Sequence, residues 1–168
     1  PLFVKANNSG SSYGISKVYN REELIYAIDK SFGYDNEVLI EEFLDGKEVS
    51  VGVMYFQNEI KVFGISEIVS KNDFFDYEAK YEGNHEVISP ARLNNQQKLN
   101  VEKASKNLYK KLKMTGFSRS DFIFIGDEPY LLEINSIPGM TEESIFPKQV
   151  NMNVISFENI FKYIIYVY

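Results

Sequence analysis

The sequence contains no cysteine and no tryptophan, and it has fewer basic than acidic residues. Without cysteine, disulfide bonds and thiolate metal sites are excluded. With 18 Lys and Arg against 24 Asp and Glu, the formal net charge is −6, which argues against a nucleic-acid backbone as the main partner. No signal peptide is recognisable, and no apolar run is long enough to cross a bilayer. We therefore expect neither a nucleic-acid nor a membrane partner.

The composition is that of an ordinary globular protein with many aromatic residues. Of the 168 residues, 44% are hydrophobic and 25% are charged, and there are 13 Phe and 12 Tyr. This length suits one substantial domain or two small lobes. The sequence opens directly in a predicted strand, PLFVK, without Met, and we interpret this as the beginning of an excised fragment.

The first part of the chain is predicted to be α+β with an antiparallel sheet. Its strands alternate apolar and polar residues and are predicted at 2–5, 15–19, 37–43, 48–56 and 60–69. A loop of small and polar residues joins the first two strands. Asn20 followed by Glu23 forms a capping box that begins a helix.

The second part is predicted to contain three helices and a hairpin. The charged and aromatic segment 70–90 is interpreted as a lid or a ligand-facing loop. Asn94 and Gln97 form a second capping box, whose helix is predicted to reach about Met114. A short helix at 141–150 is predicted to be interrupted by Pro147, and Ser156 caps a final helix.

The hairpin in the stretch 117–140 gathers polar side chains. A three-residue turn at 126–128 would place Asp121 opposite Glu133 and Arg119 opposite Asn135. Carboxylates this close repel each other unless a cation joins them, and oxygen ligands without Cys or His suit Mg²⁺ or Mn²⁺. A solvated strand face with an Arg–Asp ion pair is the alternative, and the hairpin residues alone leave both open.

Three features together indicate nucleotide binding between two lobes. Lys5 ends a strand before the Gly/Ser loop, acidic residues end the strand 37–43, and carboxylates gather on the hairpin. Lysines neutralise phosphate oxygens, a glycine-rich loop can cradle them, and a carboxylate-bound Mg²⁺ bridges them to an acceptor. By itself the loop could be a surface turn, since it lacks the spacing of a P-loop.

Five stretches, in family order, resemble the D-alanine–D-alanine ligases of the ATP-grasp superfamily. They are KANNSGSSYG at 5–14, EEFLDGKE at 41–48, FFDYEAKY at 74–81, RSD at 119–121 and EINSIPGMTEES at 133–144. The resemblance covers nearly the whole chain. It implies an α+β ATP-grasp fold, in which two lobes with mainly antiparallel sheets grip ATP. We expect part of the small central lobe at 1–69 and the large C-terminal lobe, with the metal and D-alanine sites, at 70–168.

The resemblance also implies a reaction. The carboxylate of one D-alanine attacks the γ-phosphate of ATP to give an acyl phosphate, and the amine of a second D-alanine displaces phosphate to give D-alanyl-D-alanine for peptidoglycan. Family members of this kind are cytoplasmic and typically homodimeric. Another ATP-grasp carboxylate–amine ligase and a non-catalytic nucleotide-binding module are the alternatives.

The resemblance assigns nucleotide-binding roles to one set of residues. The two lysines would contact phosphates, Gly10 and Ser12 belong to the loop that closes over them, and Phe74 would lie beside the adenine or in the core. Glu48 matches the carboxylate that binds the ribose, and the adenine edge would be recognised at a strand end. The full set is Lys5, Gly10, Ser12, Glu41, Phe43, Leu44, Glu48, Phe74 and Lys80.

A second set carries the chemistry in the resembled family. Its metal ligands, usually around two Mg²⁺ or Mn²⁺ ions, correspond to Asp121, Glu133 and Asn135. Arg119 corresponds to the arginine that stabilises the transferring phosphoryl group and the tetrahedral intermediate. The other matches are Ser11 near the first D-alanine, Tyr81 closing over the site, the backbone N–H of Gly139 at the oxyanion, and Ser144 gripping the carboxylate of the second D-alanine.

Two departures from the family pattern stand out. Ala6 stands where the family usually has proline, which removes no chemistry. The N-terminal domain of the family has no counterpart in this sequence, and that domain supplies a glutamate for the ammonium group of the first D-alanine. We therefore expect the chain alone to be weak or inactive as a ligase.

Overall fold

The computed structural model describes residues 1–8, 14–70, 85–153 and 155–167. Runs of two to four strands are separated by helices along these residues, which is an α+β order. The elements are β1 Leu2–Ala6, β2 Ser16–Val18, α1 Arg21–Phe32, β3 Val38–Glu42, β4 Lys47–Phe56, β5 Glu59–Ser70, β6 His85–Ile88, α2 Asn95–Lys111, β7 Phe117–Ile125, β8 Glu128–Asn135, α3 Ile145–Asn151 and α4 Phe157–Val167. No helix in this described part is long and apolar enough to cross a membrane.

The first compact unit is built around a three-stranded sheet in the order β2-β1-β3. β1 pairs antiparallel with both neighbours, so it is the central strand. Val4 of β1, Val18 of β2 and Ala27 of α1 are buried together and form a small core. The outer strand β3 leaves Leu39 and Ile40 partly exposed, at 39% and 49%. This unit therefore has one modest apolar layer between its helix and its sheet.

The beginning of α1 differs in one contact from the predicted capping box. As predicted, Asn20 precedes the helix and its side chain accepts a hydrogen bond from the Glu23 backbone N–H at 2.9 Å. The Glu23 carboxylate accepts from the backbone N–H of Tyr19 at 2.7 Å and from the Asn20 side chain at 2.6 Å. The Asn20 and Glu23 side chains therefore each accept a hydrogen bond from a backbone N–H near the helix start, as the side chains of a capping box do.

The second compact unit is built around a five-stranded sheet in the order β6-β5-β4-β7-β8. The central strand β4 is covered on both faces. Its Val49, Val51 and Val53 pack with Phe122 and Phe124 of β7 against α2. On the opposite face, β4 and β5 pack against α3 and α4 through Met54, Phe56, Phe63, Phe146, Val150 and Ile160. Helices on two faces make β4 the most buried strand of this unit.

The division into compact units differs from the predicted boundary at residue 69. Pro1–Leu44 belong to the first unit, whereas Asp45–Val69 belong with Val87–Tyr168 to the second. The reason is the pairing of β4, which runs antiparallel to β7 from Lys47↔Phe124 to Met54↔Phe117. The β4–β5 hairpin, which the sequence interpretation assigned to the first lobe, is thus part of the larger sheet.

The helices of the second unit confirm one capping box and correct one prediction. Asn94 and Gln97 make both reciprocal bonds of the box at the start of α2. Pro147 does not interrupt a helix, because α3 begins at Ile145 and proline lies in its first turn, where the backbone N–H has no helical partner. Ser156 caps α4, with its hydroxyl accepting from the Asn159 N–H at 3.3 Å.

A buried carboxylate ties β5 to the segment before α2. The Glu67 side chain is 5% exposed, and its oxygens accept from Arg92 Nε at 3.0 Å and Arg92 Nη2 at 2.6 Å. The Arg92 backbone N–H also donates to it, and Lys47 Nζ lies 3.6 Å away. The hydrogen bonds from Arg92 hold the pKa of Glu67 below its ordinary value. The ionised form of Glu67 is therefore the one that stabilises this unit.

Replacing Glu67 with glutamine is expected to lower the free energy of unfolding by about 1–3 kcal/mol near neutral pH. Because the folded-state pKa lies below the ordinary value of 4.5, the stabilisation is present above that value and is lost as pH falls through the folded-state pKa. Denaturant unfolding of both proteins between neutral and acid pH measures the difference, which should shrink toward the acid end. A difference independent of pH would contradict this role.

Candidate active site

The β7–β8 hairpin places the polar residues in the predicted pairs. Arg119 lies opposite Asn135, and Asp121 lies opposite Glu133. The predicted three-residue turn is wrong, because Ile125 pairs with Glu128 and only two residues turn the chain. The ladder then shifts between Asp121 and Phe122, so that Leu132 has no partner within the described β7–β8 ladder. A β-bulge at Leu132 therefore restores the pairing that the shorter turn would have displaced.

The turn of this hairpin is held by the first residues of α2. Gly126 has φ 61°, a conformation that glycine adopts without strain at the first position of a two-residue turn. Its carbonyl accepts from the Gln97 side chain at 2.9 Å. Asn94 donates to the Asp127 carboxylate at 3.0 Å, and Asn100 donates to the Asp127 carbonyl at 2.9 Å. One helix end thus fixes the hairpin that carries the candidate site.

A two-point ion pair joins Arg119 to Asp121. Arg119 Nε donates to Asp121 Oδ1 at 3.1 Å, and Arg119 Nη2 donates to Oδ2 at 3.0 Å. Both side chains are largely buried, at 13% and 11% exposed. The Ser50 hydroxyl, from the neighbouring strand β4, donates to Asp121 Oδ1 at 2.6 Å. The carboxylate is therefore held from two sides in a fixed orientation.

Burial and charge act on Asp121 in opposite directions. Burial raises the pKa of the Asp121 carboxyl, while the Arg119 guanidinium and the hydrogen bonds from Arg119 and Ser50 oppose the increase. The nearby Glu133 carboxylate adds to the increase by repulsion. A further positive charge at these oxygens would favour the ionised form for the same reason as Arg119 does.

Glu133 and Asn135 complete a set of oxygen-bearing side chains. Asn135 Nδ2 donates to Glu133 Oε1 at 3.1 Å and approaches Asp121 Oδ2 at 3.4 Å, and Arg119 Nη2 lies 3.9 Å from Glu133 Oε1. No group of three or more His, Cys, Asp or Glu side chains is arranged to hold a metal in the described ranges. The set here is two carboxylates and one amide, and rotating the amide would turn its oxygen toward them. These hard oxygen donors fit Mg²⁺ or Mn²⁺.

Gly139 and Ser144 are brought together in the segment after β8. A β-carbon at Gly139 would lie 2.8 Å from the Ser144 hydroxyl oxygen, so a larger residue there would displace this hydroxyl. The Ser144 hydroxyl also lies 2.8 Å from the Thr141 hydroxyl. Ser144 occupies the N-cap position of α3, yet its side chain makes no capping hydrogen bond. Its hydroxyl faces the preceding turn instead of the helix.

The first unit holds several of the predicted nucleotide-binding residues. Lys5 Nζ lies 2.6 Å from Glu41 Oε2, which joins two of them in an ion pair across β1 and β3. The Phe43 ring lies 4.0 Å from Lys17 Nζ, and the Phe43 backbone N–H donates to the Pro1 carbonyl at 3.3 Å. Leu44 is the last residue of the segment Pro1–Leu44 of this unit. Glu48 lies in β4 of the second unit, where it pairs with Ile68 of β5 and Ile123 of β7.

The remaining predicted residues lie outside the described ranges. They are Gly10, Ser11, Ser12, Phe74, Lys80 and Tyr81. The described residues that flank the Gly/Ser loop are well anchored. Asn8 donates its N–H to Asp35 at 2.6 Å, and the Gly14 carbonyl accepts from the buried Ser31 hydroxyl at 2.9 Å.

Sequence reasoning missed Ser50 as a member of the site. Its hydroxyl reaches Asp121, although the two residues are 71 positions apart in the chain. The available signal was a serine alternating with buried valines in β4, since a polar residue inside a strand needs a hydrogen-bond partner when it is buried. That partner depends on the pairing of β4 with β7, where Ser50 lies opposite Asp121.

Comparison with known structures identifies the fold. The D-Ala:D-Ser ligase VanG from Enterococcus faecalis matches with a TM-score of 0.86 and 35% identity, covering 99% of this chain and 49% of that chain. The D-alanine–D-alanine ligase from Bacillus anthracis complexed with ATP matches with a TM-score of 0.82 and 30% identity, covering 99% of this chain and 51% of that chain. The fold is therefore that of the ATP-grasp ligases, as predicted.

Sequence comparison defines the family within that class. The chain belongs to the family described as D-ala D-ala ligase C-terminus, whose model matches residues 1–166. The D-alanine–D-alanine ligase of Flavobacterium johnsoniae is 55% identical over 161 residues, which cover 96% of this chain and 50% of the relative. The chain spans about half the length of the curated relatives that it matches.

Proposed function

We propose that this chain is the ATP-binding and catalytic part of a ligase that joins two D-alanines at the expense of ATP. The observation that carries the proposal is the buried Arg119–Asp121 pair, with Glu133 and Asn135 opposite it on the hairpin. Family membership over residues 1–166 supports the same reaction. A non-catalytic module would have no need for a guanidinium and two carboxylates held in this register.

The proposed reaction has two displacement steps. A carboxylate oxygen of the first D-alanine attacks the γ-phosphorus of ATP, and ADP leaves with the electrons of the broken P–O bond. The amine of the second D-alanine then attacks the carbonyl carbon of the acyl phosphate, and phosphate leaves as the amine loses a proton. No covalent bond to the protein forms, so catalysis rests on positioning and charge neutralisation.

In this proposal some hairpin residues stabilise negative charge on the reacting groups, and others bind the metal ion. Arg119 stabilises negative charge on the transferring phosphoryl group and on the tetrahedral intermediate, and Asp121 holds its guanidinium plane in place. The Gly139 backbone N–H supports the oxyanion. Asp121, Glu133 and Asn135 would hold Mg²⁺ or Mn²⁺, which when bound offsets phosphate charge.

The nucleotide roles are proposed for residues on several segments. Lys5 and Lys80 would neutralise phosphate oxygens, and Gly10, Ser11 and Ser12 would cover them. The adenine would lie near Glu41, Phe43, Leu44 and Phe74, with Glu48 on the ribose hydroxyls and Tyr81 closing over the site. The structure of the Bacillus anthracis ligase with ATP supports ATP as the nucleotide. We also propose a cytoplasmic homodimer serving peptidoglycan synthesis.

The second substrate is proposed to be D-alanine, with D-serine as the alternative. The Ser144 hydroxyl beside Gly139 suits the carboxylate of a small amino acid. The similarity to a D-Ala:D-Ser ligase makes D-serine a specific competitor. The two differ by one hydroxyl, which an apolar pocket rejects only weakly, so the choice must be measured.

A chimera tests the reaction without assuming what the chain can do alone. This chain would replace the matching half of the Flavobacterium johnsoniae ligase, to which it is 55% identical. We expect phosphate release with D-alanine to exceed that with D-serine and D-lactate, and D-alanyl-D-alanine to be the product. A folded chimera that releases no phosphate with D-alanine would reject the proposal.

Titration of the chain itself with ATP and Mg²⁺ tests the metal and nucleotide roles. We expect binding that requires the divalent ion and weakens by about 10- to 100-fold in Asp121→Asn and Glu133→Gln. Lys103→Ala, on the outer surface of α2, is the control and should bind as the unmodified chain does. Binding that is indifferent to both acidic substitutions would remove these residues from the metal site.

A further inference from the structure

Gln149 is a buried side chain of α3 that bridges to the central sheet of the second unit. It is 0% exposed, and its Nε2 donates to the Ser50 carbonyl at 2.9 Å and to the Ser66 hydroxyl at 3.0 Å. Ser50 lies on β4 and Ser66 lies on β5. One amide group therefore fastens α3 to two adjacent strands.

The same contacts connect two regions of the proposed site. α3 begins directly after Ser144, the residue proposed to grip the second D-alanine. Ser50, whose carbonyl Gln149 holds, donates its hydroxyl to Asp121 at 2.6 Å. Two consecutive hydrogen bonds thus lead from the helix behind Ser144 to the carboxylate that orients Arg119.

The strands are shaped to admit this side chain. A β-carbon at Gly52 would overlap the Gln149 amide oxygen, and a β-carbon at Gly64 would lie 2.7 Å from Gln149 Cβ. Gly52 and Gly64 pair with each other across β4 and β5, so they leave one gap in the sheet surface. The glutamine fills this gap.

The amide of Gln149 is not explained by stability alone. Its Oε1 atom is buried and has no hydrogen-bond partner among the described residues. A buried acceptor without a partner destabilises a fold, and methionine would fill similar space without that cost. The directional bonds of Nε2 are what an apolar side chain could not supply.

We propose that Gln149 is a positioning residue for ligation, which sets the distance between the Ser144 segment and the Arg119–Asp121 pair. This inference rests on the proposed function. The amine of the second D-alanine must lie within about 3–3.5 Å of the acyl carbon to react, so a small shift of α3 relative to β4 would weaken productive binding. Gln149 itself touches neither the substrate nor the reacting atoms.

Gln149→Met in the chimeric ligase tests this role. We expect the KM for the second D-alanine to rise by about 10- to 100-fold, as is typical when a group that orients a site is lost. The KM for ATP should stay unchanged, and the thermal midpoint should change little, because losing the two Nε2 hydrogen bonds is offset by removing the unpartnered oxygen. A residue with a purely structural role would show a lower midpoint and an unchanged KM.

Ser66→Ala gives a second test that keeps most of the packing. This substitution removes one of the two acceptors of Gln149 Nε2, so we expect a smaller rise in the KM for the second D-alanine. If Gln149→Met fails to fold, the KM of Ser66→Ala tests the positioning role in its place. Ser105→Ala is the control, because Ser105 is equally buried but donates to Val101 within α2. An unchanged KM for the second D-alanine in the folded variants would overturn the inference. An unmodified chimera that forms no dipeptide would instead reject the proposed function, and the positioning role with it.

Discussion

Arg119→Lys is expected to lower kcat for ligation by about 100- to 1000-fold in the chimeric enzyme, the loss typical of removing one preorganised group that meets transition-state charge. Lysine keeps the positive charge, but it cannot reproduce the two bonds at 3.1 and 3.0 Å that hold the guanidinium against Asp121. The charge would remain near Asp121 without a fixed direction. Steady-state phosphate release at saturating substrates measures the effect.

Arg92→Lys is the matched control for this experiment. Arg92 also forms a two-point pair with a buried carboxylate in the same unit, but that carboxylate is Glu67 of β5 and not Asp121 of the hairpin. We expect this variant to lose some stability and to keep its kcat. Equal losses of kcat in the two variants would show that the effect of Arg119→Lys is structural and not catalytic.

Gly46→Ala is expected to destabilise the second unit by about 3–5 kcal/mol, the upper range for a single substitution. Gly46 precedes β4, and a β-carbon there would overlap the carbonyl oxygen of Phe124 and lie 2.9 Å from a methyl carbon of Ile123. The obstacle is backbone of the adjacent strand β7, which cannot move without breaking its pairing with β4. For a chain of this size the thermal midpoint should fall by roughly 6–20 °C.

Gly126→Ala separates this steric effect from the conformational effect of losing glycine. Gly126 has φ 61°, and a β-carbon there would meet nothing within 4 Å. Its replacement should therefore cost only the backbone strain, about 1 kcal/mol. If Gly46→Ala were no more destabilising than Gly126→Ala, the close approach of the two strands would not be the cause.

The hairpin and the helix starts were predictable because their signals are local. Capping at Asn20 and Asn94 depends on residues three positions apart, and both caps are present. The pairs of the hairpin were also correct, although the turn was not. The turn is one residue shorter than predicted, and the bulge at Leu132 adds one residue to β8. These two differences cancel, so that Asp121 still lies opposite Glu133.

The contacts between distant strands and helices could not be predicted from local patterns. The alternation of Val49, Val51 and Val53 correctly indicated one buried face of β4, but the opposite face is buried as well. Pairing of β4 with β7 decides this burial, the unit to which β4 belongs, and the partner of Ser50. The role of Gln149 likewise depends on α3 lying over Gly52 and Gly64.

The bulge at Leu132 determines on which side of the sheet the Glu133 side chain lies relative to Asp121. If the two strands paired without the bulge, Glu133 would lie opposite the buried Ser120 and point to the other side of the sheet from Asp121. Deletion of Leu132 would remove the bulge and leave the two carboxylates opposite each other, whereas loss of the bulge with every residue retained would separate them. A change of one residue in this hairpin should accordingly be tolerated where the bulge or the turn can absorb it.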